Sequence, residues 1–351
     1  MYVYLLLTLL IPMLALKKRR EGDASILDAR STTCIKGILC IYVMLHNLGL
    51  DVPTNTPMKE LICEHAGGVG VGVFFFLSAF GIIRSYQAKG NKYLLKLIFV
   101  HIPKLWAVAV FINSITYLSF PERYPDVNGL DLWLRILNLD VFNNFRHINR
   151  HGWYIATIIT LYLIFAAVYF ICSKLKTDKK FIIAGIVMAL VAIGLRIAAV
   201  VTDIGRMYAR EIPTFAIGCI YATFYDEVNA LAKRFFIPGM ILSTAALIIG
   251  FLTVEAVATY AAAVIVILVS QKFTYYSPVA HFLGKICIGV YLFLHYSSIV
   301  LEAFLSQEYL WVLTNAGYIL LVAVMIYAVQ YAIDLAVMKL TNIIKTKRTK
   351  I

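Results

Sequence analysis

Charged residues are scarce in this 351-residue chain, where only 15% of the residues are Asp, Glu, Lys or Arg and 61% are hydrophobic. An ordinary soluble domain is about half apolar and roughly a quarter charged. So little polar surface cannot cover so much apolar sequence in water, which excludes a soluble globular enzyme, a disordered chain and a collagenous one. The composition therefore predicts a polytopic membrane protein.

Several signatures of other protein classes are also absent. The sequence contains no nucleotide-binding fingerprint, no P-loop, no lipidation motif and no internal repeat. Its six cysteines include no CxxC pair, and all but Cys63 fall in or near apolar runs. A lone cysteine in an outside loop has no intrachain partner there, so the sequence predicts neither a disulfide framework nor a metal site.

Long apolar runs dominate what is present. A membrane-spanning helix needs about 20 mostly apolar residues. Eleven runs approach this length, at 2–16, 35–50, 67–83, 97–119, 152–172, 181–201, 212–225, 236–253, 254–270, 286–303 and 311–334. They predict an all-α, polytopic membrane helix bundle of about 11 transmembrane helices. The count holds to within one span, because two runs are short and the two runs between 236 and 270 have almost no polar hinge.

The 32 basic residues test this topology, since cytoplasmic loops are enriched in Lys and Arg. With the N-terminus outside, the inside segments contain 23 basic residues and the outside segments contain 7, while Lys104 and Arg196 fall within spans. The formal net charge of +13 thus indicates an N-out, C-in orientation rather than a nucleic-acid partner. The first basic cluster follows the first apolar run, the reverse of a secretory signal, so that run is interpreted as a retained helix.

Three segments are predicted on this basis. Residues 1–25 form an N-terminal transmembrane helix with a basic inside linker, residues 26–340 form one membrane domain, and residues 341–351 form a basic cytoplasmic tail.

Ionisable residues inside spans cost roughly 2.5–3.5 kcal/mol each on insertion scales, so they are candidates for function. In the second span, Lys36 lies at the inside end, and His46 and Asn47 follow about 15 Å further along the helix. A histidine in this position can act as a general base near neutral pH. A neutral histidine in an interhelical hydrogen bond explains it equally well.

The third span contains Gly68 and Gly72, a GxxxG pair on one helix face, and ends with Arg84 on the inside. The glycines favour close helix packing. Arg84 is either an inside anchor or a ligand for an anionic donor. Two glutamates, Glu211 and Glu255, lie at span ends. Interfacial pairing is the simpler explanation for their presence there.

The fourth and tenth spans contain further polar residues. His101 and Lys104 flank Pro103, which can kink a helix, and this basic pair would suit phosphates, although snorkelling also explains Lys104. Tyr291 and His295 are four residues apart and share a helix face, where a structural role for His295 is favoured over a catalytic one. The one long outside loop, 120–151, carries four arginines, two histidines and a tryptophan.

Five ordered sequence blocks resemble the acyltransferase-3 family of membrane-bound acyltransferases, which includes O-acetylases of bacterial surface polysaccharides. The resemblance covers residues 26–335. The blocks are Ile35-Lys36-Gly37-Ile38 running into His46, Gly70 to Phe80, Tyr93 through Lys96 to Trp106, Gly152-Trp153-Tyr154-Ile155, and Phe282-Leu283-Gly284-Lys285 through Tyr291 to His295.

The resemblance implies a ten-helix core with both ends inside, to which this chain adds one N-terminal helix. It implies transfer of an acyl group, commonly acetyl from acetyl-CoA, to a hydroxyl of a cell-surface glycan or lipid-linked sugar at the plasma membrane. The family histidine corresponds to His46. The family often has Arg in place of Lys36, and its usual spacing from that residue falls on Asn47. At 100° per residue, Asn47 lies about 20° from the face of Lys36, and His46 about 80°.

The resulting hypothesis assigns three groups of residues. The candidate catalytic residues are His46, Asn47, Tyr291 and His295. The candidate ligands for acyl-CoA, which is a donor substrate rather than a bound cofactor, are Lys36, Arg84, Lys96, His101 and Lys104. The candidate acceptor-binding residues are Arg150, His151 and Trp153.

Two alternatives stay open. A secondary transporter would need broken helices and inverted repeats, and no internal symmetry is visible. A non-catalytic membrane sensor or assembly protein is supported by the shifted register of His46.

Overall fold

The computed structural model describes residues 16–20, 25–50, 66–139, 148–202 and 211–304, together with 321, 324, 325, 327–329 and 331–339. The predicted first span, Cys63, most of the last apolar run and the basic tail lie outside the described residues.

The described residues form twelve α-helices and two short strands. The helices are α1 (Ala29–Leu50), α2 (Ala66–Lys89), α3 (Asn91–Lys96), α4 (Ile102–Ser119), α5 (Gly129–Ile136), α6 (Gly152–Ser173), α7 (Lys180–Thr202), α8 (Pro213–Thr223), α9 (Tyr225–Arg234), α10 (Phe236–Leu252), α11 (Glu255–Lys272) and α12 (Pro278–Phe304). A π-helical turn, Leu97–His101, joins α3 to α4, and a 3₁₀ turn, Pro121–Arg123, follows α4.

Six helical segments are long and apolar enough to cross a membrane, by length and composition. They are Gly67–Lys89, Asn91–Ser119, Gly152–Ser173, Lys180–Thr202, Glu255–Lys272 and Pro278–Ser297. Each coincides with a predicted apolar run, which confirms the all-α, multi-pass class. The total of eleven spans and their orientation stay predictions.

The region between 212 and 253 differs from the simple succession of spans predicted from the sequence. α8 has only 11 residues. The ten residues of α9 were predicted as part of an inside loop, but they form a helix that meets α10 at an angle of 93°. A bent pair of this kind is either one broken span or a re-entrant segment.

The two strands were not predicted. β1 (Leu16–Lys18) pairs antiparallel with β2 (Phe273–Tyr275), with Lys17 opposite Thr274. The pairing continues one residue further, because the backbone N–H of Arg19 donates to the carbonyl oxygen of Lys272 at 2.8 Å. The basic segment after the first apolar run is thus fixed to the end of α11.

The described residues divide into two compact units. Unit 1 comprises those within Met1–Gln87, Leu175–Ile197 and Ala209–Cys287, and unit 2 those within Ala88–Lys174, Ala198–Tyr208 and Ile288–Ile351. Aromatic side chains form much of the core of each unit. In unit 1, the rings of Phe80 and Tyr221 stack at 5.2 Å, and in unit 2 those of Phe165 and Tyr169 lie 4.2 Å apart.

Two glycines set the crossing of α1 with the start of α12 inside unit 1. A Cβ atom at Gly37 would collide with the carbonyl oxygen of Ala280, and one at Gly284 would collide with that of Thr33. Because neither position has room for a side chain, the two helices approach backbone to backbone. This crossing brings together two of the sequence blocks that carry the family resemblance, Lys36-Gly37 and Gly284-Lys285.

Candidate active site

His46 lies on the face of α1 that packs against the start of α2. A Cβ atom added at Gly67 would collide with the His46 ring and lie 2.7 Å from its Nε2 atom. The neighbouring Asn47 is buried, and its Nδ2 donates to the carbonyl oxygen of Val43 in its own helix at 2.8 Å. Of the two residues that compete for the family register, His46 is thus the one whose ring contacts α2.

Two glutamates lie against the next residue of α2. A Cβ atom at Gly68 would collide with Oε1 of Glu255 and lie 3.3 Å from Oε1 of Glu211. Glu211 is buried, with 6% of its surface exposed. One imidazole and two carboxylates therefore occupy the space left by two adjacent glycines. We call His46, Glu211 and Glu255 the His–Glu cluster.

The helices that carry the glutamates are fixed on the same face of α2, one turn further along. The Thr214 hydroxyl of α8 donates to the carbonyl oxygen of Gly72 at 2.6 Å. A Cβ atom at Gly72 would collide with the Thr259 methyl group of α11. The GxxxG face of Gly68 and Gly72 therefore packs closely against α8 and α11, as the sequence favoured, and at Gly68 it also meets the carboxylates of Glu255 and Glu211.

The His–Glu cluster continues into further polar groups of unit 1. Arg196 of α7 and Glu211 both lie within electrostatic range of the Tyr260 hydroxyl of α11. The sequence alone favours an interfacial pair for Glu211, because it lies at a span end. The signal that could have revealed the cluster is the Gly67-Gly68 dipeptide, since adjacent glycines at a helix start open two neighbouring faces to large side chains.

A second cluster lies within unit 2, where α6 begins beside α12. The ring of His151, which is only 5% exposed, lies 4.8 Å from that of Tyr291 and 6.4 Å edge-on from that of His295. We call these three residues the His151 cluster. The structure thus brings a candidate acceptor residue together with two candidate catalytic residues that are distant from it in the sequence.

Asn149 holds this second cluster in place. Its side chain is almost fully buried, and its Nδ2 donates to the carbonyl oxygen of Leu292 in α12 at 2.7 Å. Its Oδ1 accepts from the backbone N–H of His151 at 2.9 Å. One amide therefore joins the start of α6 to the helix of Tyr291 and His295. No motif or spacing in the sequence singles out Asn149.

The other two candidate acceptor residues, Arg150 and Trp153, lie close to His151 in the sequence. Arg150 is half-buried immediately before His151. The half-buried Trp153 ring meets that of Tyr154 edge-on at 6.2 Å, and Tyr154 meets Tyr291 edge-on at 5.7 Å. A chain of edge-on ring contacts thus leads from the half-buried Trp153 through the buried Tyr154 to Tyr291 of the His151 cluster.

Two candidate donor ligands lie in unit 1. Lys36 is half-buried beside the crossing at Gly37. The Arg84 guanidinium lies 4.2 Å from the ring centroid of Tyr225, and its Nη1 donates to Oε1 of Gln87 at 3.0 Å. A guanidinium held against an aromatic ring keeps its charge and free N–H groups for an anion.

The other three donor candidates lie in unit 2. The His101 ring, at the end of the π-helical turn, lies 6.0 Å from that of Tyr93, with Lys96 and Lys104 in electrostatic range. The Lys104 ammonium forms an ion pair with Asp334 at 2.7 Å. A phosphate bound by Lys104 would therefore compete with the Asp334 carboxylate for the same ammonium group.

The described part of the chain contains no candidate metal site. Within the described ranges, no set of three or more His, Cys, Asp or Glu side chains is arranged to hold a metal ion.

Comparison with known proteins agrees with the sequence blocks. A family model, Acyl_transf_3, described as an acyltransferase domain, matches residues 31–334. No curated protein and no solved structure matches the chain significantly. The matched range includes both clusters and all the candidate donor and acceptor residues. Because it covers well over half of the chain, the protein belongs to the acyltransferase-3 family of membrane acyltransferases.

Proposed function

We propose that the protein is an O-acyltransferase of the plasma membrane. It transfers an acyl group, which we expect to be acetyl, from acyl-CoA to a hydroxyl of a cell-surface glycan or lipid-linked sugar. The observation that carries the proposal is the His–Glu cluster, in which an imidazole and two carboxylates lie against adjacent glycines of one helix.

In the proposed reaction, His46 acts as the general base. Its imidazole accepts the proton of the acceptor hydroxyl as the oxygen attacks the thioester carbonyl carbon. The new C–O bond forms as the C–S bond breaks, and the imidazolium returns the proton to the departing CoA sulfur. Acyl-CoA and alcohol thereby give ester and free CoA, with no net proton change and no redox step.

The glutamates act as positioning residues for His46. A nearby carboxylate favours the imidazolium that forms in the transition state. This interaction is stronger in a buried site than in water, because the local dielectric constant is lower. We assign this role to Glu255 and Glu211, which lie against the residue next to the His46 contact.

The His151 cluster is proposed to bind the acceptor. Imidazole and phenol groups donate and accept hydrogen bonds, so His151, Tyr291 and His295 suit the hydroxyls of a sugar. The half-buried ring of Trp153 suits stacking against a sugar ring. Arg150 would complement an acidic or phosphate-linked acceptor.

The candidate donor ligands, which we call the inside-face cations, form two groups, one in each unit, and we propose each group as a site for CoA phosphates. Arg84 is the best placed of them, because its guanidinium is fixed on Tyr225. Lys36 belongs to the same unit, and Lys96, His101 and Lys104 form a second basic group in unit 2. Charge-assisted hydrogen bonds to phosphate are about twice as strong as neutral ones.

Transfer of radiolabelled acetyl from acetyl-CoA to endogenous glycan in membrane vesicles tests the proposal. We expect covalent label with the wild-type protein and a loss of roughly 10²–10⁴-fold with His46→Ala, the usual range for a general base. Asn47→Ala is the matched control, because it removes the neighbouring polar side chain and leaves the imidazole.

Each possible outcome separates the candidate functions. Full transfer by His46→Ala at normal expression would overturn the catalytic assignment. Loss of transfer in Asn47→Ala but not in His46→Ala would exclude His46 as the base and give Asn47, whose amide does not take up a proton, a hydrogen-bonding role. Substrate movement without covalent label would indicate a transporter, and neither activity would indicate a sensor or assembly protein.

A further inference from the structure

An apolar groove runs along one side of unit 1, between α7, α8, α9, α10 and α11. Its volume is about 910 Å³, which is near the upper end of the usual range of roughly 300–1,000 Å³ for ligand pockets. Its walls are aliphatic and aromatic, and include Ile186, Leu190, Ile217, Leu231, Phe235 and Val264. Walls so poor in polar atoms suit hydrocarbon and do not suit the amides of a pantetheine arm.

The short helix α9 forms one end of this groove. Its Val228 and Leu231 line the groove, and its last turn carries Lys233 and Arg234, which are both exposed. It meets the next helix at 93°. A short amphipathic helix with this orientation and a basic end is typical of a segment that lies in the membrane interface.

Three cations surround the junction of α9 and α10. The Arg234 guanidinium lies 5.2 Å from the ring centroid of Phe235, a residue of the groove wall. The Lys272 ammonium lies 5.5 Å from that of Phe236. The acidic residues of α9, Asp226 and Glu227, occupy its opposite end, about 10 Å away along the helix.

We propose that the groove holds the acyl chains of one anionic phospholipid from the leaflet in which α9 lies, with its phosphate between Lys233, Arg234 and Lys272. Apolar walls ending in a basic interfacial rim match a phospholipid in both shape and charge. The far end of the groove includes Tyr260, which is within electrostatic range of Glu211 of the His–Glu cluster. A bound lipid would therefore support the helices that carry the cluster.

Lipid retention by the purified full-length protein tests this inference. Native mass spectrometry would compare phosphatidylglycerol with phosphatidylcholine of the same chains. We expect the wild-type protein to retain phosphatidylglycerol preferentially. The double variant Lys233→Gln, Arg234→Gln should lose roughly fivefold in that preference per charge removed. Equal retention of the two lipids by the wild-type protein would overturn the headgroup assignment.

The matched control is Lys174→Gln. This lysine also lies over an aromatic ring, with its Nζ atom 4.4 Å from the centroid of Phe170, but it belongs to unit 2 and does not line the groove. We expect it to leave the lipid preference unchanged. An equal loss of lipid preference in the control and the double variant would show that overall surface charge, and not the groove, causes the preference.

A photoreactive residue at Ile217, inside the groove, identifies the occupant in native membranes. A cross-linked mass equal to an anionic phospholipid supports the proposal. A cross-link to a peptide of this chain or of a second copy, or to a zwitterionic lipid alone, overturns it. Because no transfer activity is measured, a failure here is distinct from a failure of the proposed function.

Discussion

At the residue scale, two glycines decide where the candidate base can lie. Large side chains occupy the space beside Gly67 and Gly68, and any Cβ atom there would meet the His46 ring or the Glu255 carboxylate. The position of the His–Glu cluster thus depends on the absence of side chains at these two glycines. A search of the sequence for reactive side chains alone does not find it.

We expect Gly67→Ala and Gly68→Ala to reduce acyl transfer roughly 10²-fold, because a displacement of about 1 Å at a reacting group has this effect. The matched control is Gly81→Ala on the same helix, where a Cβ atom would meet nothing within 4 Å. The transfer assay and the melting temperature of each purified variant provide the measurements. Equal activity of all three variants would show that the contact with His46 does not matter.

The sequence assigns the candidate base to His46, but it places the next residue, Asn47, in the register that the family usually uses. An ideal helical rotation places Asn47 nearer than His46 to the face of Lys36. The structure directs the His46 ring at α2, while the Asn47 amide donates to its own helix. Rotation along one helix does not define which neighbouring helix each face meets. That choice depends on Gly67, 21 positions away from His46 in the sequence.

At the element scale, the start of α6 is joined to α12 by a single buried amide. Asn149 accepts from the backbone N–H of His151 and donates to the carbonyl oxygen of Leu292. The His151 cluster is therefore assembled by a contact between elements, and not by the order of its residues in the chain.

We expect Asn149→Ala to lower the free energy of unfolding by about 1–3 kcal/mol, since it leaves buried backbone groups without their partner. It should also weaken acyl transfer by displacing His151. Asn128→Ala serves as the control, because Asn128 is exposed and its side chain makes no capping hydrogen bond at the start of α5. Thermal denaturation in detergent and the transfer assay provide the two measurements. Equal effects of Asn149→Ala and Asn128→Ala would contradict the role assigned to Asn149.

Long apolar helices were predictable and short amphipathic ones were not. Runs such as 152–172 and 181–201 coincide with α6 and α7, because a span must satisfy its backbone within about 20 apolar residues. α5 and α9 were assigned to loops, because their polar residues lower the apolar content of any window that contains them. Yet α9 forms the basic end of the lipid groove, so its omission concealed that site.

At the scale of the whole molecule, the predicted orientation rests on the distribution of basic residues and has a direct chemical test. Five cysteines lie in the described part of the chain, and all are buried and outside any disulfide: Cys34, Cys40, Cys172, Cys219 and Cys287. Cys63 falls in a predicted outside loop. A reagent that reaches only exterior thiols should therefore report on one position.

We expect a membrane-impermeant maleimide to label the protein in right-side-out vesicles, and Cys63→Ser to abolish that labelling. In sealed inverted vesicles the wild-type protein should stay unlabelled until the membrane is permeabilised. Labelling in inverted but not in right-side-out vesicles would reverse the predicted topology. It would also reassign the inside-face cations to the exterior.

The β1–β2 pair has a consequence for the order of synthesis. Its partners are far apart in the sequence, since Lys17 and Thr274 are separated by 257 positions. At about 5–20 residues per second, roughly 13–50 s pass between the synthesis of the two strands. During that interval the basic segment that follows the first apolar run has no strand to pair with. The pairing is therefore a late event of biogenesis, which joins a segment synthesised well before α11 to the end of that helix.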